Sequence, residues 1–294
     1  METITEIVSF SHDGINHMWY PFSAKLDGNN SIISSEFFYE IAELLSLLKS
    51  MFATNNHSPE MVSKENIKGS RQFLVGENAR RTECSVIFNT ENNQYILRRC
   101  FFGNYSVEAR LHRVNSSVVY FGYDVINMLR KFHKPFIVGE GNLFDNGSFI
   151  LKPDTDHSRN SLVSLANDWA RMVGFQDSRI ELDYTGRWSN SGNFGLNYSK
   201  RNRRRGKMPS PLRLLTVLAQ AVIRKRKFGK CPPILSPFNV ESLNEFEAIA
   251  MLDLVKNISK EERIQFVIGI NGKQEVNSMI DAIATPNLSI YHVN

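Results

Sequence analysis

The stretch LDGNNSIISSEFF (26–38) has the residue types of a phosphate-binding loop, in which a strand leads through a glycine-rich turn into a helix. Such a loop follows the pattern G-x-x-x-x-G-K-[ST]. Its second glycine lets the backbone surround the phosphates, its lysine contacts the β- and γ-oxygens, and its hydroxyl holds Mg²⁺. Here Gly28 takes the first position and Ser35 the last, but Ile33 replaces the second glycine and Ser34 replaces the lysine. The stretch predicts either a degenerate nucleotide site or a Ser-rich turn that caps an ordinary helix.

The net charge is +5, and basic residues are concentrated in two clusters, KRNRRRGK (200–207) and RKRK (224–227). Such clusters are typical of nucleic-acid contacts or of a nuclear-import address. They are equally compatible with a solvated loop and with the end of a helix. The candidate DNA-binding residues of the first cluster are Lys200, Arg201, Arg203, Arg204, Arg205 and Lys207.

The composition predicts a soluble globular protein with a substantial core. The chain has 294 residues, 42% of them hydrophobic and 22% charged. No apolar run approaches the length of a membrane span, and the polar start METITEIVSFSHDG does not resemble a secretory signal. The three cysteines have neither disulfide nor metal spacing, and no pair of the seven histidines has the spacing of metal ligands. We therefore expect a reducing compartment, no metal and no disulfide.

Strand and helix patterns alternate along the chain, which predicts a mixed α/β sheet with helices packed on it. CSVIF and QYILRR, joined by NTENN, predict an antiparallel hairpin. The polar segment KPDTDHSRN (152–160) is the best boundary between two lobes. The predicted helices are SSEFFYEIAELLSLLKSMF, SLVSLANDWARMVGF, LRLLTVLAQAVIRKRK and EFEAIAMLDLVKNI. The predicted strands of the second half include RIELDY, ILSPF, IQFVIGIN and LSIYHV.

In this order the elements resemble an ABC-type ATPase head. In detail the chain is similar to the heads of SMC (structural maintenance of chromosomes) proteins, and most similar to the five-type subunit of the complex named for the fifth and sixth SMC proteins. Four segments carry the resemblance: FLVGENARRTECSVIF (73–88), VVYFGYDVINMLRKFHKPFIVGEGNLFDNGSF (118–149), LANDWARMVGFQDSRIELDY (165–184) and GKCPPILSPFNVESLNE (229–245). The last is similar to the family's Cys-Pro…Asp-Glu segment.

The resemblance implies one head built from two lobes. The N-terminal lobe would span residues 1–151 and the C-terminal lobe residues 163–294. Residues 152–162 would form a short linker that replaces the coiled coil and the hinge of a complete SMC protein. We expect this linker to lie at the surface.

The resemblance also implies that the ATP chemistry is lost. The family needs a phosphate-loop lysine, a water-orienting glutamine, an Asp-Glu pair for Mg²⁺ and the attacking water, and a glycine-rich signature. The nucleotide-site positions are occupied by Gly28, Asn30, Ile33, Ser34, Ser35, Phe149, Ser236 and Pro237. The signature positions are occupied by Met208, Pro209 and Ser210. These residues predict a folded pseudo-ATPase without catalytic residues and with very weak or no binding of ATP-Mg.

Three function classes remain open. The first is an armless regulator or decoy that binds the kleisin or the partner head of an SMC complex, in chromosome maintenance or DNA repair in the nucleus. Its docking surface would lie in the C-terminal lobe, on helix 240–258 and strands 264–270 and 288–293. The second is a stand-alone, sequence-nonspecific DNA-binding protein that has kept the fold. The third is an enzyme of different chemistry on the same scaffold.

Overall fold

The computed structural model describes residues 3–11, 22–26, 30–35, 38–53, 81–102, 107–132, 135–137, 156–182, 188–192, 210–240, 243–271 and 288–293. Within these ranges the chain forms thirteen strands and five helices. No described helix is both long enough and apolar enough to cross a membrane. Among the described side chains, no group of three or more His, Cys, Asp or Glu residues could hold a metal ion.

Six of the described strands form an antiparallel sheet in the order β2-β1-β4-β5-β6-β7. They are β1 (Thr3–Ser11), β2 (Phe22–Lys25), β4 (Arg81–Asn89), β5 (Gln94–Phe102), β6 (Val107–Arg113) and β7 (Val119–Phe121). The predicted hairpin is confirmed as β4 and β5, which are joined by a short turn. One face of this sheet is buried, because successive side chains of a strand point to opposite faces and alternate residues such as Tyr95 and Leu97 are apolar.

Five of the described strands form a parallel sheet in the order β13-β3-β12-β11-β8. They are β3 (Asn30–Ser35), β8 (Phe136–Ile137), β11 (Ile234–Asn239), β12 (Phe266–Asn271) and β13 (Leu288–Val293). Two come from the first half of the chain and three from the second, so the halves share one sheet. A parallel sheet beside an antiparallel one, with flanking helices, confirms the predicted fold class.

The remaining described strands, β9 (Ser178–Leu182) and β10 (Trp188–Gly192), pair as an antiparallel hairpin. The helices are α1 (Phe38–Met51), α2 (Tyr123–Lys131), α3 (Asp156–Met172), α4 (Ser210–Phe228) and α5 (Glu245–Glu262). The predicted helix LRLLTVLAQAVIRKRK is confirmed as α4. The start of α5 is capped by Asn244, whose side chain accepts the Glu247 N–H at 2.8 Å while the Glu247 carboxylate accepts the Asn244 N–H at 3.0 Å.

The parallel sheet separates two hydrophobic cores, because neighbouring residues of its strands point to opposite faces. Ile32 and Phe266 belong to the core shared with α3, α4 and α5. Ile33 and Val267 belong to the core that contains α1 and the antiparallel sheet. Helix α1 is therefore enclosed between the two sheets.

Two predicted elements differ from the structure. The Ser-rich turn predicted at 28–35 is wrong from Asn30 onward, since β3 occupies Asn30–Ser35 and the helix begins at Phe38 rather than at Ser34. Burial of Ile32 and Ile33 on opposite faces stabilises the extended conformation there. Helix α3 begins at Asp156, so most of the predicted linker 152–162 is helical.

The two large sheets are joined by the side chain of Gln265. Its Oε1 accepts the backbone N–H of Ile4 at 2.7 Å, and its Nε2 donates to the backbone oxygen of Ile4 at 2.7 Å. The described pairing of β1 with β2 covers Glu6 to Ser9, so at Ile4 the amide provides the two hydrogen bonds that a neighbouring strand would otherwise give. Both residues are buried, so these bonds satisfy backbone groups that water does not reach.

Gly269 of β12 is the point of closest approach between α1 and the parallel sheet, since a Cβ added there would overlap Cγ2 of Ile41. We expect Gly269→Ala to lower the free energy of unfolding by about 1–3 kcal/mol, because the added methyl group would overpack the core. Urea denaturation of the purified variant measures this change.

The control for this prediction is the Ile41→Ala background, which lacks the overlapping methyl group. There Gly269→Ala should destabilise the protein less, with a coupling free energy of about 0.5–3 kcal/mol. The same destabilisation in both backgrounds would contradict the close approach.

Candidate functional site

The candidate site is the edge of the parallel sheet at which its strands end, which we call the carboxyl edge. Ser35 of β3 lies in register with Asn271 of β12 and Val293 of β13, and Asn271 lies in register with Asn239 of β11. In open α/β sheets, ligands bind outside the carboxyl ends of the strands. A nucleotide site of the predicted kind would therefore lie at this edge.

The segment predicted to form a degenerate phosphate loop or a Ser-rich turn is a strand from Asn30 onward. Ile33 and Ser34 are buried within β3, where they lie in register with Gly269 and Ile270 of β12. Only residues 36 and 37 separate the end of β3 from the start of α1. A phosphate loop needs several consecutive residues outside the strand so that their N–H groups can converge on the ligand, and the chain has too few of them here.

Asn30 lies at the opposite end of β3 from the carboxyl edge. Its Oδ1 accepts a hydrogen bond from Ser259 Oγ at 2.7 Å and another from the backbone N–H of Phe266 at 2.9 Å. Both partners are buried, and so is Asn30. The residue therefore ties β3 to α5 and β12, and it is not placed to contact a ligand at the carboxyl edge.

Ser236 and Pro237 take the two positions at which the resemblance expects the Asp-Glu pair, and both are buried in the middle of β11. The Ser236 hydroxyl donates to the Pro237 oxygen at 3.3 Å. Neither side chain carries a charge that could hold Mg²⁺ or polarise a water molecule. The strand continues to Asn239, so the positions lie before the carboxyl edge rather than on it.

Pro237 occupies a position where the missing backbone N–H is tolerated. The described pairing of β11 with β8 covers only Ile234 and Leu235, while the pairing with β12 continues through Pro237 to Asn239. Proline is found in sheets where one side of the strand has no partner. Within the described residues, β11 is paired on only one side at Pro237.

Several predicted site residues cannot be placed on this framework. Ser210 is the first residue of α4, and the backbone of Ser35 ends β3; the side chains of both lie outside the described part of the structure. The predicted residues that lie outside the described ranges altogether are Gly28, Phe149, Met208, Pro209, Lys200, Arg201, Arg203, Arg204, Arg205 and Lys207.

Arg99 of β5 is a buried cation that no sequence motif marks. Its side chain donates to the backbone oxygens of Ser50 at 3.1 Å and Ala53 at 2.6 Å, at the carboxyl end of α1. It is only 5% exposed, and burial lowers the pKa of its guanidinium to about 10, which leaves it charged at neutral pH. A cation there satisfies terminal carbonyl groups and interacts favourably with the negative end of the helix dipole. The sequence does give one indication of its burial: Arg99 follows Tyr95 and Leu97 at alternate positions of β5, and the side chains of these two residues face the core.

The fold is similar to that of solved SMC heads. One structure, an Smc head bound to the C-terminal winged-helix domain of ScpA, has 14% identity and a TM-score of 0.55, with 96% of this chain and 92% of that chain covered. Another, the Smc head domain with an extended coiled coil bound to the C-terminal domain of ScpA from Pyrococcus furiosus, has 12% identity and a TM-score of 0.58, with 97% and 92% covered. No protein-family model matches the sequence, and no curated protein matches it.

At these identities the likeness establishes the fold, which is that of an SMC head and thus of an ABC-type ATPase head. The resemblance to the five-type subunit stays a prediction that depends on the four sequence segments.

We expect Asn30→Ala to lower the free energy of unfolding by about 1–3 kcal/mol, since it leaves the buried Phe266 N–H without its acceptor. Denaturant unfolding measures this. The matched control is Asn257→Ala on the exposed side of α5, which should change stability by less than about 0.5 kcal/mol. Equal stability of the wild type and the Asn30 variant would contradict the structural role of this residue.

Proposed function

We propose that this protein is an SMC-like head without ATPase activity, which acts by binding a subunit of an SMC complex in chromosome maintenance or DNA repair. The observation that carries the proposal is the direct passage from β3 into α1, with two residues between them. This passage takes the place of the loop that binds triphosphate in an active head.

The residues at the described site support a loss of nucleotide chemistry. The phosphate-loop lysine and the Asp-Glu pair are the charged groups that hold the triphosphate, Mg²⁺ and the attacking water. Ser34, Ser236 and Pro237 stand at these positions, and all three are buried in the parallel sheet. A binding function does not require these groups.

The proposed partner is a kleisin-type subunit. Two SMC heads of similar fold were solved with the C-terminal domain of ScpA, which is a kleisin. A head without ATP chemistry can still offer such a docking surface and thereby compete with an active head. The role would be that of a decoy or regulator, and we place it on chromatin in the nucleus.

An exposed apolar pair marks the proposed docking surface in the C-terminal half. Phe246 at the start of α5 and Met172 at the end of α3 are both 68% exposed. A Cβ at Gly174, just after α3, would lie 3.9 Å from Cε1 of Phe246, so the two helix ends are adjacent. Neighbouring exposed apolar side chains are typical of the centre of a protein interface.

We expect the purified chain to bind the C-terminal winged-helix domain of a kleisin in isothermal titration calorimetry. Replacing Phe246 and Met172 together by Ser should weaken binding by about tenfold or more, as removal of apolar anchors from an interface does. The control is Phe121→Ser, which removes another exposed aromatic residue, from β7. Loss of binding in the control alone would place the surface elsewhere.

We expect no ATP hydrolysis and no micromolar binding of Mg-ATP. Each missing charge-assisted hydrogen bond is worth roughly 1.5–3 kcal/mol, so the absence of the lysine and of the metal ligands should weaken binding by several orders of magnitude. Calorimetric titration with Mg-ATP tests this. A micromolar dissociation constant would overturn the pseudo-ATPase proposal.

We expect overproduction of the chain in cells to lower the chromatin loading of the intact SMC complex, because the decoy occupies its kleisin. Chromatin fractionation measures the loading, and co-purification identifies the bound subunits. Unchanged loading together with no co-purified SMC or kleisin subunit would refute the regulator and favour the stand-alone DNA-binding alternative.

A further inference from the structure

The carboxyl end of α4 carries an exposed aromatic ring among cations. Phe228 is 54% exposed although it is apolar. The guanidinium carbon of Arg224 and the ammonium nitrogen of Lys227 each lie 5.5 Å from the centroid of its ring. Both distances are within the range of cation–π attraction. The ring is therefore held at the surface by charged neighbours rather than buried by apolar ones.

Two ion pairs bring other elements to the same surface. Arg226 Nε donates to the Glu262 carboxylate at 2.9 Å, which joins the end of α4 to the end of α5. Lys230 pairs with Glu91 in the turn between β4 and β5. The helix ends and this turn together form what we call the α4–α5 surface. It lies at the end of the parallel sheet opposite the carboxyl edge, because α4 leads into β11 and α5 leads into β12.

Positive charge exceeds negative charge on the α4–α5 surface. Its described cations are Arg224, Lys225, Arg226, Lys227, Lys230, Lys260 and Arg263, and its described carboxylates are Glu91, Glu261 and Glu262. Cations at helix carboxyl ends are favoured by the helix dipole, which accounts for some of them. The dipole does not account for an exposed aromatic ring in their midst.

A ring surrounded by cations has the chemistry to bind single-stranded nucleic acid. Unpaired bases stack on aromatic side chains and on guanidinium planes, while lysine and arginine neutralise the adjacent phosphates. An acidic peptide would pair with the cations, whereas every nucleotide of a single strand presents both a phosphate and a face that can stack on Phe228. The exposed ring therefore favours a nucleic acid over an acidic protein segment.

We propose that the α4–α5 surface binds single-stranded nucleic acid without sequence preference, with a base stacked on Phe228 and phosphates against Lys225 and Lys227. The activity is independent of the proposed kleisin binding, which concerns the end of α3 and the start of α5. Its residues are also different from those of the basic run 200–207.

The first experiment measures fluorescence anisotropy of labelled oligo-dT and oligo-rU, each roughly a dozen nucleotides long so that it spans one binding site, with the full chain. Phe228→Ala should weaken binding roughly fivefold or more, the effect expected when one stacked base is released, whereas Phe228→Tyr should keep it. Phe121→Ala is the matched control, since Phe121 is 56% exposed and Arg110 lies 5.7 Å from its ring centroid. Equal effects of the two alanine variants, or no effect of either, would overturn the proposal.

The second experiment measures how the affinity depends on salt. Replacing Lys225 and Lys227 by Gln should reduce the slope of log affinity against log salt by about 0.7 for each phosphate that the variant no longer neutralises. The control replaces Arg113 and Arg130, two exposed cations on β6 and α2, by Gln and should leave the slope unchanged. An unchanged slope in the lysine variant would overturn the assignment of phosphates to these two lysines.

Both experiments are repeated in a chain whose cations at 200–207 are replaced by Gln, so that this run cannot supply the signal. Persistence of the Phe228 effect there supports the α4–α5 surface, and its disappearance overturns the proposal.

The dT and rU probes show whether DNA or RNA is preferred, and binding of either supports the proposal. Displacement of the probe by poly-glutamate with no weakening in Phe228→Ala would identify an acidic-peptide site and overturn it. Kleisin binding by the Phe228 variant should be unchanged, which separates this test from that of the proposed function.

Discussion

The position of α1 between the two sheets depends on one close approach, where Ile41 packs directly over Gly269 of β12. A side chain at position 269 would push the helix away from the parallel sheet and toward the antiparallel one. The other end of α1 is held by Arg99, which donates to the carbonyls of Ser50 and Ala53. With both ends fixed and only two residues between β3 and α1, the start of the helix has little freedom. Core packing thus fixes where α1 begins relative to the end of β3.

Amide side chains connect elements that no backbone ladder joins. Gln265 bonds both the N–H and the oxygen of Ile4 and so links the two sheets. Asn167 of α3 does the same for Ile180 of β9, with both distances 2.8 Å. An amide side chain presents an N–H donor and a carbonyl acceptor at the spacing of a peptide group, which makes it a substitute for a strand edge. The Gln265 bonds join regions far apart in sequence, so they help to hold the two halves of the chain in one unit.

The sequence was sufficient for elements whose pattern is local. The alternation in QYILRR and CSVIF predicted β4 and β5, and the apolar spacing of LRLLTVLAQAVIRKRK predicted α4. It failed at β3, where Gly-Asn-Asn-Ser followed by Ser-Ser favours a turn and a helix start. The extended conformation there is stabilised by Ile32 and Ile33, which are buried in two separate cores, and such burial is a property of the whole fold. The roles of Asn30 and Arg99 were hidden for the same reason, since each depends on partners distant in sequence.

The same burial makes it costly to introduce the charged residues of an active ATPase head at the matching positions of this chain. Ser34 lies inside β3, so a lysine there would place an ammonium group in the sheet rather than in a loop facing a ligand. Burying such a charge without a partner costs several kcal/mol. A carboxylate at position 236 would meet the same penalty within β11. The polar residues of the described site are small and are accommodated by the packing of the sheet. The proposed loss of ATP chemistry is thus compatible with retention of the fold, because charged residues at positions 34 and 236 would oppose the packing of the parallel sheet.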